Sequence, residues 1–108
     1  MAPRAALKVD FGTGVRLGPG KVRLLECIAE TGSISAAARV MEMSYRRAWL
    51  LVEELNGIFG RPVVETAAGG SGGGGAKITA FGKRVVSVFR GMEQEADQLV
   101  KTRMAQLK

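Results

Sequence analysis

The segment from Gly32 to Trp49, which reads GSISAAARVMEMSYRRAW, constrains the fold of this chain more than any other. Ser33 and Ser44 each stand where a helix could begin, because a serine hydroxyl can accept a hydrogen bond from the amides that open a helix. Only two residues or so separate the two predicted helices, and the small alanines at 36–38 would let them approach closely. Two helices joined by so short a turn predict a helix-turn-helix.

The second predicted helix begins with basic residues. In a helix-turn-helix, the second helix enters the major groove of DNA and turns its N-terminal residues toward the base edges. In this chain those residues are Ser44, Tyr45, Arg46 and Arg47. An arginine can donate two hydrogen bonds to a guanine in the major groove. The segment therefore predicts a helix that reads double-stranded DNA.

A projection at 3.6 residues per turn gives this helix two faces. The face predicted to pack in the core, with Tyr45 at its edge, carries Ala48, Val52, Leu55 and Phe59. The opposite face carries Arg46, Leu50, Glu54 and Gly57. Leu50, beside the arginines, suits contact with a thymine methyl group. The pattern is also compatible with an ordinary amphipathic helix, and we expect Trp49, which flanks the core face, to pack rather than to stack on a base.

The charge of the chain favours a partner that carries phosphates. Sixteen Lys and Arg against ten Asp and Glu give a net charge of +6. Because the basic residues are spread along the chain, a basic footprint must come from folding rather than from a tail. The length of 108 residues predicts one domain over residues 1–108, and the 46% hydrophobic content gives a modest core that a dimer interface would enlarge.

The lack of histidine and the presence of a single cysteine argue against an enzyme. The sequence has no histidine and one cysteine, Cys27, so imidazole bases, histidine metal sites and an intramolecular disulfide are excluded. We expect no metal site and no cofactor, and we expect Cys27 to be a buried, inert residue of an apolar helix. No apolar run approaches membrane length, and no signal-peptide core is present. These features predict a cytoplasmic protein with no membrane partner.

The remaining pattern predicts a mainly α protein with small β-hairpins, an α+β fold of the winged helix-turn-helix type. An N-terminal hairpin is expected over residues 6–17, because apolar and polar residues alternate from Ala6 to Phe11 before a glycine turn. A helix over residues 21–30 and the helix-turn-helix over residues 33–59 follow. A second hairpin over residues 62–80 is the candidate wing.

The candidate wing contains a run of glycines from Gly69 to Gly75. The spacing of Gly70 and Gly75 fits a phosphate-binding loop, but Ala76 stands where that motif requires lysine, so the match fails. Two interpretations remain open: a disordered connector, or a loop whose bare amides lie against the DNA backbone. On the second interpretation the DNA-contacting residues of the wing are Gly72, Gly73, Gly74 and Lys77.

A helical pattern over residues 80–107 indicates a long C-terminal helix. Its apolar residues at coiled-coil spacing are Val85, Phe89, Met92, Ala96 and Leu99. A helix of this length spans about 45 Å, more than one small domain can cover. We therefore predict a homodimer through these residues. The alternative for the first half of the helix, including Phe81, Val85 and part of Phe89, is packing against its own domain.

The motif at residues 43–49, MSYRRAW, is followed by Glu53 to Asn56 and by the segment GGGGA at residues 72–76, with Thr79 and Gly82. This combination resembles the DNA-binding domain of the ModE-type molybdate-responsive regulators, which are related to the LysR-type regulators. The resemblance runs from about residue 20 to residue 89 and includes Gly32 to Ser35. It implies a winged helix-turn-helix that dimerises through its C-terminal helix and binds a palindromic operator, an inverted repeat.

The resemblance also sets the expected function. The DNA-contacting set expected in the helices is Ser33, Ser35, Ser44, Tyr45, Arg46, Arg47 and Leu50. Full-length ModE-type regulators carry a pair of oxyanion-binding domains after this region, so we expect no oxyanion site in residues 1–108. We predict a sequence-specific transcriptional regulator. The alternative is a winged-helix module that binds a protein, against which the arginines of the second helix argue.

Overall fold

The computed structural model of the chain describes residues 2–67 and 75–107, which form four α-helices and two antiparallel two-stranded sheets. The elements in chain order are β1 (Val9–Asp10), β2 (Arg16–Leu17), α1 (Pro19–Thr31), α2 (Ile34–Val40), α3 (Tyr45–Phe59), β3 (Val64–Thr66), β4 (Ala76–Ile78) and α4 (Ala80–Met104), and α4 is extended by a 3-10 turn over Ala105–Leu107. The predicted fold class, mainly helical with small hairpins, is confirmed.

Helix α1 lies at the centre of the core. Proline in its first turn has the fixed φ that a helix start needs, and Gly32 ends the helix with a φ of 71°, a conformation that glycine adopts without strain. The buried residues of α1 are Val22, Leu24, Leu25, Cys27 and Ile28, each with no exposed surface. The prediction that Cys27 is a buried core residue is confirmed.

Helices α2 and α3 form the helix-turn-helix, and serines start both of them. The hydroxyl of Ser33 accepts a hydrogen bond from the amide of Ala36 at 3.1 Å, and that of Ser44 accepts from the amide of Arg47, also at 3.1 Å. Both predicted caps are confirmed. The core face of α3, predicted from its periodicity, is buried at Ala48, Val52 and Leu55.

The turn between α2 and α3 is tight enough to force one residue into the left-handed region. Glu42 has a φ of 55°, and among the described residues other than glycine it alone has a positive φ. The amide of Met43 donates to the carbonyl of Ala38 at 3.0 Å, which closes the turn. The conformation of Glu42 therefore sets how α3 leaves α2.

Strands β3 and β4 pair in the register Val64 with Ile78, Glu65 with Lys77 and Thr66 with Ala76. Each strand occupies three residues of its predicted segment, 62–66 or 76–80. One of the following two bonds ties the sheet to the end of α1, and the other continues the pairing of the hairpin towards the start of α4. The amide of Ala76 donates to the carbonyl of Gly32 at 2.9 Å, and the amide of Thr79 donates to the carbonyl of Val63 at 3.0 Å.

The N-terminal hairpin has shorter strands than its alternating sequence predicts. Val9 pairs with Leu17 and Asp10 with Arg16. Leu17 is followed directly by the start of α1, so the residues before Val9 have no return strand to pair with. Instead, the amide of Ala5 donates to a carboxylate oxygen of Asp97 at 2.7 Å, which ties this segment to α4.

The first half of α4 packs against α1 and β4 of its own domain. Val85 is 7% exposed and Phe89 is completely buried. This corrects the prediction that both residues lie on a dimer seam, because Phe89 has no surface to offer to a second chain. The alternative, that this half of the helix covers its own core, is what the structure shows.

Candidate nucleic-acid interface

The exposed face of α3 lies opposite its core face, as the helical projection predicted. Arg46, Glu53 and Gly57 are exposed on it, and Leu50 keeps 45% of its surface open to solvent. The first turn of the helix is fixed by the Ser44 cap, so the basic residues project from a rigid start. The result is an exposed helix face, called the ridge below, with arginine at its N-terminal end, the charge that fits a major groove.

The two arginines of the first turn are exposed and line the same surface depression. Among the ion pairs formed within residues 2–67 and 75–107, none involves Arg46 or Arg47. Their guanidinium groups are therefore available to an external anion or base edge. The structure brings both arginines next to Ser44, whose hydroxyl accepts from a backbone amide and keeps its own proton for donation.

Tyr45 and Trp49 stand side by side on the flank of the ridge. Tyr45 is 56% exposed and Trp49 is 41% exposed. The prediction that Trp49 is a packing residue is therefore wrong, because Trp49 is exposed and is not among the described residues that pack against the core. The helical projection could not decide whether Trp49 is buried or exposed, because this residue lies between the core face and the outward face. Trp49 joins the candidate contact surface.

The serines of α2 are placed differently from each other. Ser33 is half-buried, and its hydroxyl accepts the hydrogen bond that caps α2. Ser35 is exposed, and its hydroxyl accepts a hydrogen bond from the guanidinium of Arg39 at 3.2 Å. Ser35 and Arg39 thus form a polar pair on α2, of which the sequence analysis singled out only the serine.

The candidate wing contributes one described cation. Lys77 lies on β4, is exposed, and is paired in register with Glu65 of β3. The predicted contacts Gly72, Gly73 and Gly74 lie outside the residues that the structure describes.

Asn56 joins the wing to α3, a role that the sequence analysis missed. Its side-chain oxygen accepts from the amide of Val63 at 2.8 Å and from that of Val64 at 3.4 Å, while its amide donates to the carbonyl of Val64 at 3.5 Å. The one feature of the sequence that could have indicated this role is the position of a polar residue directly after Leu55, which was predicted to be buried. Through this side chain the orientation of the wing depends directly on α3.

The outer face of α4 carries apolar residues that its own domain leaves uncovered. Val88 and Leu99 are each 59% exposed, while Met92 and Ala96 are half-buried. Val88 and Leu99 are about 20° apart around the helix at 100° per residue, so they share a face. The open stripe is therefore centred on Val88, Met92 and Leu99. Val88 was not among the residues predicted for the dimer interface, although its spacing of four residues from Met92 places it on the same face of the helix.

An ionic cluster holds α4 at a set position on α1. Arg90 donates to both carboxylate oxygens of Glu26, at 2.8 and 3.2 Å, and to Glu93 at 2.7 Å. The hydrogen bonds from Arg90 lower the pKa of Glu26, and the charges of Arg90 and Arg23 add to this effect against the opposing effect of burial. The same bonds raise the pKa of Arg90, so this arginine stays charged.

A helix-turn-helix with an exposed basic second helix, packed under a central helix and followed by a β-hairpin attached to that second helix, defines the winged helix-turn-helix class. The family described as "Bacterial regulatory helix-turn-helix protein, lysR family" matches residues 20–83. The chain belongs to this family.

Curated relatives confirm the resemblance to ModE-type regulators. Molybdenum transport protein ModE of Azotobacter vinelandii is 38% identical over 91 residues, which cover 84% of this chain and 34% of that protein. Molybdenum-pterin-binding protein MopB of Rhodobacter capsulatus is 42% identical, with 82% of this chain and 33% of that protein covered. DNA-binding transcriptional dual regulator ModE of Escherichia coli K12 is 41% identical, covering 66% and 27%. The chain spans about a third or less of the length of these relatives.

Solved structures share the fold. The crystal structure of the CbnR_DBD-DNA complex has a TM-score of 0.62 at 19% identity and covers 82% of this chain and 95% of that chain. The regulator LysG of Corynebacterium glutamicum has a TM-score of 0.55 at 25% identity and covers 83% and 30%. Within residues 2–67 and 75–107, no helix has the length and apolar character needed to cross a membrane.

Proposed function

We propose that this chain binds double-stranded DNA sequence-specifically and regulates transcription, with α3 in the major groove. The observation that carries the proposal is the outward ridge of α3, where two exposed arginines without ion-pair partners among the described residues flank the exposed Leu50. The relatives named as transcriptional regulators support it. Because bacterial DNA lies in the cytoplasm, we place this activity there.

Each part of the ridge has a distinct role in this proposal. Arg46 and Arg47 donate to guanine edges or to phosphates, and Leu50 contacts a thymine methyl. Tyr45, Ser44, Ser33 and Ser35 make the polar contacts around this centre. Lys77, with the glycines at 72–74, contacts the backbone beside it.

The test starts from DNA selected from a random pool by the purified protein. Arg46→Ala and Arg47→Ala are then measured on the selected duplex, with Arg103→Ala at the far end of α4 as the control for loss of one charge. We expect a loss of about 1–3 kcal/mol for an arginine that reads a guanine, which is roughly 5- to 150-fold in affinity. Unchanged affinity in both variants overturns the placement of α3 in the groove.

The competing function is a protein-binding module that makes no use of DNA. Binding that neutralises phosphates weakens steeply as salt rises, whereas a protein-binding surface would ignore the duplex altogether. A titration of random duplex DNA at several salt concentrations therefore separates the two functions. Absence of salt-dependent binding by the wild type would favour the protein-binding module.

We further propose that the chain acts as a homodimer on an inverted repeat. The stripe of Val88, Met92 and Leu99 supports this, because monomers rarely leave a contiguous apolar stripe in water. A two-fold axis at α4 would present two copies of α3 to one side of the duplex, with half-sites about one helical turn apart or a multiple of it.

Sedimentation at micromolar concentration tests the dimer. The variant Met92→Glu with Leu99→Glu places two charges in the stripe and is expected to be monomeric. The control is Gln94→Glu with Gln98→Glu, which adds the same charge at exposed positions of the same helix. A monomeric wild type, or a stripe variant that still dimerises, contradicts the proposed interface.

A further inference from the structure

We propose that the N-terminal hairpin provides a second contact with DNA, in which Lys8 and Arg16 join Arg47 to bind backbone phosphates beside the major groove occupied by α3. The proposal rests on the proposed DNA-binding function and extends it to a part of the chain outside the matched family region, which begins at residue 20.

The contact surface is a groove of about 290 Å³ between β2, the start of α1 and the first turns of α3. Four cationic side chains line it: Lys8, Arg16, Lys21 and Arg47. None of the residues that line the groove is acidic. The first turn of α1, which borders it, also contains no acidic residue. A groove of this composition attracts anions.

Lys21 has a structural role in the groove and does not present its charge to a bound phosphate. Its ammonium group donates to the backbone carbonyl of Arg16 at 2.7 Å and lies 4.0 Å from a carboxylate oxygen of Glu54 on α3. Its side chain is only 17% exposed. Lys21 therefore fastens the hairpin to α1 and α3, and it fixes where the neighbouring cations stand.

Lys8 and Arg16 are the cations that the hairpin offers to solvent. The stem of Lys8 lies across Gly18, where an added Cβ would come within 3.2 Å of the lysine Cγ, and Lys8 is in none of the ion pairs of the described ranges. Arg16 is 3.6 Å from Asp10, with both side chains more than half exposed. Exposed pairs of this kind are weak, so the guanidinium can exchange its partner for a phosphate.

Arg47 makes the groove continuous with the DNA-reading ridge. It lines this groove and also lines the surface depression that contains Ser44, Arg46 and Leu50. When α3 lies in the major groove, the phosphates of the flanking strand run beside its first turn. The exposed cations that share the groove with Arg47 are Lys8 and Arg16 of the hairpin. The ligand that this position favours is the DNA phosphodiester backbone.

The experiment compares the salt dependence of binding for two double variants of the full chain. Lys8→Gln with Arg16→Gln removes the hairpin cations, and Lys101→Gln with Arg103→Gln removes the same charge from the far end of α4. Each is titrated with the selected duplex and with a random duplex of equal length. We expect the hairpin variant to lose affinity for both duplexes equally, roughly tenfold, and the slope of log affinity against log salt to fall by about 1–2.

The outcomes separate this proposal from the one on which it rests. A wild type that binds neither duplex defeats DNA binding as a whole. A wild type that binds, with a hairpin variant indistinguishable from the α4 variant, overturns the hairpin contact alone. A loss confined to the selected duplex also overturns it, because phosphate contacts do not read sequence. If the double variant melts early, Lys8→Gln alone, which breaks no ion pair, is expected to lower the slope by about 1.

Discussion

The side-chain oxygen of Asn56 accepts a hydrogen bond from the backbone amide of Val63, with 2.8 Å between the two atoms. This contact connects the last turns of α3 to the first residues of the wing. Val63 has no exposed surface, so its amide has no access to water if the bond is lost. This side chain is therefore one of the contacts that set the position of the wing relative to α3.

Replacing Asn56 by alanine is expected to destabilise the domain by about 1–3 kcal/mol, because it leaves a buried amide without a partner. Urea unfolding measures the change. The neighbouring Gly57→Ala is the control: nothing lies within 4 Å of the added methyl, and alanine is expected to stabilise the helix by about 0.5–1 kcal/mol. An Asn56→Ala variant as stable as the wild type would show that the contact contributes little.

Gly82 allows α4 to start against the wing. A Cβ at this position would lie 2.3 Å from the carbonyl oxygen of Val63, a backbone atom that cannot move alone. We expect Gly82→Ala to destabilise the fold by about 1–3 kcal/mol or more. Gly91→Ala, on the same helix with nothing within 4 Å, is expected to be stabilising by about 0.5–1 kcal/mol. Thermal unfolding of the two variants should move in opposite directions, and a shift in the same direction would contradict the packing argument.

The pair of Glu26 and Arg90 makes stability depend on pH in the acid range. The pKa of Glu26 is lowered in the folded protein, so the stabilisation is complete above the pKa of an unfolded glutamate, about 4.3, and is lost as the pH falls through the folded value. We expect Glu26→Gln to be less stable than the wild type at pH 7, with the difference shrinking below about pH 4.3. Parallel stability curves between pH 7 and pH 3 would mean that the carboxylate is not coupled to folding.

Glu42 holds a left-handed conformation in the turn of the helix-turn-helix. For residues with a Cβ this conformation costs about 1–2 kcal/mol, asparagine tolerates it better, and β-branched residues tolerate it least. We therefore expect Glu42→Gly and Glu42→Asn to be more stable than the wild type. We expect Glu42→Val to be less stable than the wild type. Urea midpoints of the three variants give the order, and a valine variant equal to the wild type would contradict it.

The helix-turn-helix could be predicted from local signals in the sequence. Ser33 and Ser44 cap helices through amides three residues away, so the pattern that predicts each cap is contained in a few adjacent residues. The buried face of α3 followed from helical periodicity for the same reason. In the candidate site, the outward placement of Arg46 and Leu50 was a direct consequence.

Features that depend on distant parts of the chain could not be predicted in this way. Periodicity showed that α4 is amphipathic, but only packing against α1 and β4 decides that Phe89 is buried while Val88 is open. The bond from Asn56 to Val63 and the groove beside Lys21 likewise join segments whose proximity exists only in the fold. A sequence pattern indicates which helix or strand a residue belongs to. Which residues from other elements it contacts depends on how the elements pack together.

The ionic cluster of Arg90 with Glu26 and Glu93 has a consequence for which operators a dimer can recognise. These contacts fix the angle at which α4 leaves the body of the domain, and in a dimer built through α4 that angle sets the distance between the two copies of α3. The separation of half-sites is then encoded far from any residue that touches a base. A change of operator spacing in such a protein would have to begin at the α1–α4 junction, while a change of operator sequence would begin on α3, so the two properties can evolve independently.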